Sequence, residues 1–341
     1  MPPSFDIHAA ARRAMIANGF RPDVPAEVLA EVARAVDPSS QSTGIVRDLR
    51  ALPWSSIDND SSLDLDQVEV AERLPNGDVR VSVAIADVDA TVSAGSATDR
   101  FAAVNSCSVY TGIVTYPMLP DRLSTQLTSL GQGEDRPSIV IEFVVAGDGT
   151  VRSHDVYLGR VENKAKLAYG SVGAWLDGHG QLPGAATTAV QDQLRVQDAA
   201  AQTLRANRGR HGALSLETIE AQTVLRADKT VSVELVEKTR ASHLIEDFMI
   251  AANVAMAEFL DEHKSPTIRR VVRTPERWDR IVALAAALGE KLPAAADSAA
   301  LVAFLTKRQG ADPDHYPDLS LSVVKLIGQG VYEMHEPGTP D

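Results

Sequence analysis

Hydrophobic and polar residues alternate along two stretches in the first half of the chain. These stretches are residues 79–85 (VRVSVAI) and 139–145 (IVIEFVV), and an alternation with a period of two is typical of half-buried β-strands. Asn76-Gly77 lies just before the first stretch, and Asp148-Gly149 lies just after the second. Because both dipeptides favour the tight turns of β-hairpins, the pattern predicts a β-rich first half.

The spacing of apolar residues changes in the second half, where it becomes helical. Residues 190–209 and 241–263 carry apolar side chains about every 3.6 positions, as amphipathic helices do. Pro275 opens a third run of this kind, and Gly289 closes it. The second half is therefore predicted to be mainly helical.

Two more helices are predicted near the N-terminus, before the β-rich part begins. Four apolar residues there recur at helical spacing: Val28, Leu29, Val32 and Val36. We therefore expect an N-terminal helical segment, residues 1–40, packed as an arm on a main domain, residues 41–341. A separate nucleic-acid-binding unit is the alternative for this segment.

Composition narrows the class of protein without selecting a function. The 341 residues are 44% hydrophobic, and no apolar run is long enough to span a bilayer, so a water-soluble protein with no membrane partner is expected. The single cysteine, Cys107, excludes an intramolecular disulfide and is expected to be a small buried residue. The first residues lack the pattern of a signal peptide. A cytoplasmic location is therefore expected.

The densest chemical signal is an acidic segment, residues 57–69 (IDNDSSLDLDQVE). It has no basic residue between Arg50 and Arg73, and its acids are Asp58, Asp60, Asp64, Asp66 and Glu69. Repulsion between such close carboxylates is relieved by solvent or by a bound cation. Oxygen ligands without nearby His or Cys suit magnesium, manganese or calcium rather than zinc.

Two kinds of metal site compete for these residues, and a solvated acidic turn is the third reading. Counted from Asp58, the acids stand at positions 1, 3, 7, 9 and 12, which resembles an EF-hand calcium loop. Leu63 stands where that loop needs glycine, and the flanks predict strands rather than helices. The other reading is a catalytic site in which Asp58, Asp64 and Asp66 hold one or two magnesium ions for phosphoryl transfer, which is nuclease chemistry.

Residues 48–67 (DLRALPWSSIDNDSSLDLDQ) resemble the acidic motif of the catalytic RNB domain of the ribonuclease II and ribonuclease R family, whose pattern is Ile-Asp, a short spacer and Asp-x-Asp-Asp. Later segments are similar to further motifs of that family and keep their order along the chain. These segments are residues 83–88 (VAIADV), 108–125 (SVYTGIVTYPMLPDRLST), 162–169 (ENKAKLAY), 204–214 (LRANRGRHGAL) and 243–260 (HLIEDFMIAANVAMAEFL). Several ordered motifs are more specific than any one of them.

The resemblance implies an α+β fold, an RNB-type nuclease domain with a mixed β-sheet and packed helices. It also implies 3′-to-5′ hydrolysis of single-stranded RNA to nucleoside 5′-monophosphates, with magnesium as the cofactor and manganese as a substitute. By motif position, Asp58, Asp64 and Asp66 inherit the catalytic and metal-binding roles. No nucleotide cofactor is implied, and no protein partner is identified.

Roles in RNA binding are also implied by the resemblance, and each has an ordinary alternative. Tyr110 matches a tyrosine that stacks on the terminal base, and Tyr169 matches a tyrosine of the RNA channel; either could instead be packed in a core. Lys166 and Arg208 could contact phosphates or could be solvated surface charges. Arg273 and Thr274 stand where a second stacking aromatic residue is expected.

Three departures qualify these expectations. Gln67 occupies the fourth acidic position and can offer a metal only an uncharged oxygen. The chain ends at Asp341, before a family segment that brings an arginine to the scissile phosphate, so the catalytic domain is expected to be C-terminally incomplete and to lack OB-fold accessory domains. The net charge of −13 weakens nonspecific RNA affinity. An RNA-binding module with impaired catalysis and a calcium-stabilised structural domain are the alternative functions.

Overall fold

The computed structural model describes residues 6–37, 46–214, 216, 220–225, 231–236, 238–272 and 275–338. The strands in these ranges are β1 (Arg47–Asp48), β2 (Ser55–Asp58), β3 (Gln67–Arg73), β4 (Val79–Ala86), β5 (Val109–Tyr110), β6 (Thr115–Tyr116), β7 (Asp135–Val145), β8 (Val151–Glu162), β9 (Ala165–Ala168), β10 (Glu220–Leu225), β11 (Val231–Val236), β12 (Thr267–Val271) and β13 (Val331–His335). The α-helices are α1 (Ile7–Ala17), α2 (Ala26–Arg34), α3 (Ala97–Asn105), α4 (Tyr169–Leu176), α5 (Thr188–Arg210), α6 (Arg240–Glu262), α7 (Trp278–Ala287), α8 (Ser298–Ala311) and α9 (Tyr316–Ile327), and one π-helical turn spans Leu123–Leu127.

A mixed sheet of seven strands forms the centre of the fold. Its order is β1-β8-β7-β4-β3-β2-β9. The two outer pairs, β1 with β8 and β2 with β9, are parallel, whereas the pairs between them are antiparallel. This architecture confirms the predicted α+β class with a mixed sheet.

Both predicted hairpins are present in this sheet. The turn at Asn76-Gly77 joins β3 to β4, and the turn at Asp148-Gly149 joins β7 to β8. Gly149 has a φ of +83°, and a Cβ atom there would lie 2.1 Å from the carbonyl oxygen of Thr203 in α5. Glycine is therefore required at this turn by its backbone conformation and by the close approach of the helix.

Three helices, α4, α5 and α6, cover one face of the sheet and form the largest core with it. Phe143 of β7 and Phe248 of α6 meet edge to face in this core, with ring centroids 6.2 Å apart. Ile57 of β2 and Leu167 of β9 are also buried there. The strands that carry the acidic segment are thus fixed against rigid helices.

The opposite face of the sheet and the N-terminal helices have separate, smaller cores. Trp54 and Val68 belong to the core on the opposite face. Val28 and Val32 of α2 pack near α3, as the predicted apolar stripe requires, but Leu29 and Val36 are exposed. The stripe of α2 is therefore narrower than the sequence pattern indicated.

Cys107 corrects one expectation, because it is exposed rather than buried. It follows α3, whose C-cap residue Ser106 takes the left-handed conformation with a φ of +60°. The chain leaves the helix at this point and does not enter the core. Among the described helices, none is long and apolar enough to cross a membrane.

The helices α7, α8 and α9 pack around a further cluster that includes Trp278, Ile281, Phe304 and Tyr316. The predicted helix between Pro275 and Gly289 is confirmed as α7, whose bounds are Trp278–Ala287. A two-stranded antiparallel sheet of β12 and β13 accompanies this group. The second half of the chain is mainly helical, as predicted.

Candidate active site

The acidic segment includes the end of β2, the start of β3 and the connection between them, residues 59–66, at one end of the sheet. This connection is called the acidic connection below. Strand β2 ends at Asp58, β3 begins at Gln67, and the two strands pair at Ser55 and Glu69. Both strands therefore deliver their carboxylates to the same end of the hairpin. Strands flank the acidic segment on both sides, whereas an EF-hand loop is flanked by helices.

Side chains from other elements hold this connection in place. The ammonium group of Lys166, on β9, donates to the carbonyl oxygens of Ser62 at 2.6 Å and Asp60 at 3.3 Å. Ser129 accepts from the backbone N–H of Leu65 and donates to the carbonyl oxygen of Leu63. Parallel pairing of Asp58 with Ala168 fixes the end of β2. The loop is therefore tied down by hydrogen bonds at several points.

Three of the predicted acids, Asp58, Asp64 and Asp66, lie close enough to influence one another, and they are called the acid group below. The pKa of Asp66 is raised above its ordinary value, first by burial of its carboxyl group among protein atoms and then by the negative charges of Asp58 and Asp64. The side chain still reaches solvent. In the described ranges, no three His, Cys, Asp or Glu side chains stand close enough to form a ready-made metal cluster. The acids share one electrostatic environment without converging on a single point.

Tyr110 lies directly beside this acid group. Its hydroxyl donates a hydrogen bond of 2.7 Å to Oδ2 of Asp64, and 65% of the residue surface is exposed. The hydrogen bond, followed by burial, raises the pKa of Tyr110 to about 12. The β5–β6 hairpin, in which Tyr110 pairs with Thr115, presents the ring. An exposed ring anchored to an acid is a suitable surface for base stacking.

Tyr169 and Lys166 line a cavity of about 450 Å³ next to the acidic connection, together with Asn59 and Asp60. Tyr169 is partly buried at the start of α4. Burial, followed by the charges of Asp58, Glu69 and Asp66, raises its pKa to about 12. The structure therefore brings both of these predicted RNA-binding residues to the acid group.

Arg208 is not brought to the acid group. It lies near the C-terminus of α5 and forms an ion pair with the buried carboxylate of Asp247, which also binds Arg205 at 2.8 Å. The neighbouring residue Asn207 donates to the carbonyl oxygen of Gly149, in the turn at the far end of the sheet from Gln67. An RNA contact for Arg208 therefore stays a prediction. Arg273 and Thr274, at the position of the second stacking residue, lie outside the described residues.

Glu69 is a site feature to which the sequence pattern gave no separate role. It is fully buried, and neither of its carboxylate oxygens has a hydrogen-bond partner among the described residues. Burial, followed by the charges of Asp66 and Asp58, raises its pKa well above the ordinary value. The alternation of residues in β3 places Glu69 on the same face as Gln67, which was the available signal.

Comparison with known proteins identifies relatives of this chain. The model of the RNB domain family matches residues 46–339. Ribonuclease R of Vibrio parahaemolyticus is 34% identical over 67% of the chain and 27% of its own length, and Exoribonuclease 2 of Escherichia fergusonii is 33% identical over 64% of the chain and 34% of its own length. The chain thus spans about a third or less of these relatives.

A solved structure shows the same fold. Mycoplasma genitalium RNase R, in complex with ribose methylated single-stranded RNA, superposes with a TM-score of 0.85 over 95% of this chain and 51% of that protein, at 21% identity. The acidic motif, the fold and the extent of the family match agree with one another. On these grounds, the chain belongs to the RNB domain family.

Proposed function

We propose that this chain is a 3′-to-5′ exoribonuclease that hydrolyses single-stranded RNA to nucleoside 5′-monophosphates with the help of magnesium, for which manganese can substitute. One observation carries the proposal: Asp58, Asp64 and Asp66 gather at one end of the sheet, beside an exposed tyrosine ring bonded to Asp64. Relatives named Ribonuclease R and Exoribonuclease 2 support this class of reaction.

The oxygen-donor chemistry of these residues suits a hard divalent cation, and binding one would draw the three carboxylates together. Asp58, Asp64 and Asp66 would hold it with carboxylate oxygens, and the amide oxygen of Gln67 can add an uncharged ligand. The pKa of Asp66 is raised first by burial and then by Asp58 and Asp64, and a bound cation would counter both effects by favouring the charged carboxylate. When bound, magnesium supplies an activated water and stabilises charge on the phosphate oxygens during phosphoryl displacement.

The side chains around the acid group support a single strand as the substrate. The exposed ring of Tyr110 can stack on a terminal base, which every base permits because each has a π-face. Tyr169 and Lys166 line the adjacent cavity, where Lys166 contributes positive charge and also holds the acidic connection. An unpaired strand can present splayed bases to such a surface, whereas a duplex keeps its bases stacked.

The test follows a single-stranded RNA labelled at its 5′ end in the presence of magnesium. The wild-type chain should shorten the RNA stepwise from the 3′ end and release nucleoside 5′-monophosphates, and Asp66→Asn should abolish this reaction. Asp60→Asn is the matched control, because Asp60 lies on the same connection and is exposed. Equal activity of wild type and Asp66→Asn, or shortening from the 5′ end, would contradict the proposal.

A second candidate is an RNA-binding module with impaired catalysis. Gln67 favours it, because an amide brings no negative charge to a cation. In the same assay this candidate predicts RNA binding without product for wild type and Asp66→Asn alike. A calcium-stabilised structural domain predicts instead that calcium, but not magnesium, raises the melting temperature and that RNA does not bind.

A further inference from the structure

We propose that Glu69 is an additional residue of the metal site, a buried carboxylate that supplies the negative charge that the neutral Gln67 lacks. The inference rests on the proposed function, because it concerns the cation held by the same acid group. Glu69 acts as a positioning residue in this role: it provides charge behind the three aspartates, and contact with RNA is not required of it.

The position of Glu69 in the sheet supports this role. Glu69 pairs with Ser55 of β2 on one side and with Val83 of β4 on the other, so its backbone is fixed in the middle of the sheet. It stands two residues after Gln67 on the same face of β3. Ser55, the partner of Glu69 on β2, stands three residues before Asp58 at the end of that strand. The buried carboxylate of Glu69 is therefore held two residues from Gln67, in the strand that begins where the acidic connection ends.

The groups that could have satisfied Glu69 are engaged elsewhere. Gln193 of α5 crosses the strands at this point, accepts from the backbone N–H of Ala71 and donates to Oγ of Ser55 at 3.0 Å. The amide of Gln197 donates to Gln193 at 2.5 Å. The described residues form no ion pair with Glu69, and neither of its oxygens receives a hydrogen bond.

A buried carboxylate with no partner is costly, and two further carboxylates nearby add to that cost. Natural proteins keep a buried carboxylate where a nearby cation balances its negative charge or a bound proton removes that charge. A divalent cation held by Asp58, Asp64 and Asp66 would provide the missing positive charge for Glu69 as well. The rival explanation is a purely structural Glu69 that stays neutral in every state, and it predicts no effect of Glu69 on cation affinity.

The experiment measures binding of manganese to the whole chain by calorimetry and by the electron paramagnetic resonance of the free ion. Glu69→Gln keeps the size of the side chain and removes its charge. We expect this change to weaken manganese binding by roughly 10- to 100-fold, the range found when groups behind metal ligands are removed. Glu72→Gln is the matched control, because Glu72 is exposed on the same strand and pairs with Arg80. It should bind manganese as the wild type does.

A variant that relocates the carboxylate strengthens the test. The double change Glu69→Gln with Gln67→Asp moves the carboxylate to another position on the same face of β3. It should restore most of the lost affinity for manganese. Thermal unfolding in EDTA provides a second readout, in which Glu69→Gln should melt no lower than the wild type, since it removes an unpartnered buried acid. Manganese should then raise its melting temperature less than it raises that of the wild type.

Manganese affinity of Glu69→Gln equal to that of the wild type would overturn this inference and leave the proposed nuclease function standing. Failure of the added Gln67→Asp change to recover any affinity would also count against it, because a charge effect on this face should be transferable. Absence of manganese binding by the wild type would overturn both proposals. A marked loss of stability of Glu69→Gln in EDTA would show that Glu69 has the structural role.

Discussion

The hydroxyl group of Tyr110 donates a 2.7 Å hydrogen bond to Asp64 and so joins an exposed aromatic ring to one of the three catalytic candidates. The bond comes from the short β5–β6 hairpin, which lies outside the main sheet. A base stacked on this ring would lie next to the acid group. Under the proposed function, the hydrogen bond would couple the position of the RNA end to the position of a proposed metal ligand.

Removal of the Tyr110 ring should weaken RNA binding more than removal of its hydroxyl group. We expect Tyr110→Ala to reduce affinity for single-stranded RNA by ~1 to 3 kcal/mol, the usual contribution of one aromatic stack. Tyr110→Phe should keep most of that affinity. Fluorescence anisotropy in an Asp66→Asn background, which prevents turnover, measures both. Equal affinities for Tyr110→Ala and the wild type would argue against stacking.

Lys166 should control the order of the acidic connection. Its ammonium group donates to the carbonyl oxygens of Ser62 and Asp60, and Lys166→Met removes both hydrogen bonds. We expect faster amide hydrogen exchange in residues 59–65 of this variant, because the connection loses its anchor on β9. Lys164→Met is the control, since Lys164 pairs with Glu162 instead. Unchanged exchange would mean that Lys166 contributes only its charge.

The stability of the metal-free chain should depend on pH through Glu69. Its pKa is raised well above the ordinary value of 4.5, so the folded protein retains this proton where the unfolded chain has lost it. The favourable contribution of Glu69 to the free energy of unfolding is complete below pH 4.5, and it is lost as the pH rises through the raised pKa of the folded protein. Urea unfolding in EDTA between about pH 5 and 8 should show a steeper decline for the wild type than for Glu69→Gln. Parallel curves would contradict this expectation.

Arg208 should affect stability more than RNA affinity. Asp247 is buried, and Arg208→Ala removes one of its two cationic partners while Arg205 stays. We expect a loss of about 1 to 3 kcal/mol in the free energy of unfolding, the cost of a weakened buried charged contact. Arg210→Ala, whose guanidinium meets the carbonyl oxygen of Asp148 at the surface, should cost less. A large loss of RNA affinity in Arg208→Ala would support the original prediction of a phosphate contact.

Local signals in the sequence were sufficient for the hairpins and the main helices. Asn76-Gly77 determines its turn by itself, and the spacing of apolar residues in α5 and α6 is independent of distant partners. The order of the sheet could not be predicted in this way. Strand β9 is only four residues long, and its parallel partner β2 lies more than a hundred residues earlier in the chain.

The acid group was predictable from spacing, but the surroundings of single residues were not. Glu69 appears in the sequence as one polar residue in an alternating strand, and only the packing of α5 on β3 buries it. Arg208 appears as a surface cation, because its partner Asp247 lies in a different helix. Leu29 and Val28 are adjacent and similar, yet only the position of α3 decides which one is buried.

The parallel pairing of β2 with β9 has a consequence for how the chain can be divided. Asp58 pairs with Ala168, and Lys166 holds the connection that follows Asp58; both partners lie on β9, which is separated from β2 by the whole of strands β3 to β8. A proteolytic nick or a circular permutation within the acidic connection would leave every carboxylate in the molecule. Asp58 would then be held near Asp64 and Asp66 only by the sheet and by the hydrogen bonds of Lys166 and Ser129, so we expect the three carboxylates to act together less effectively than in the continuous chain.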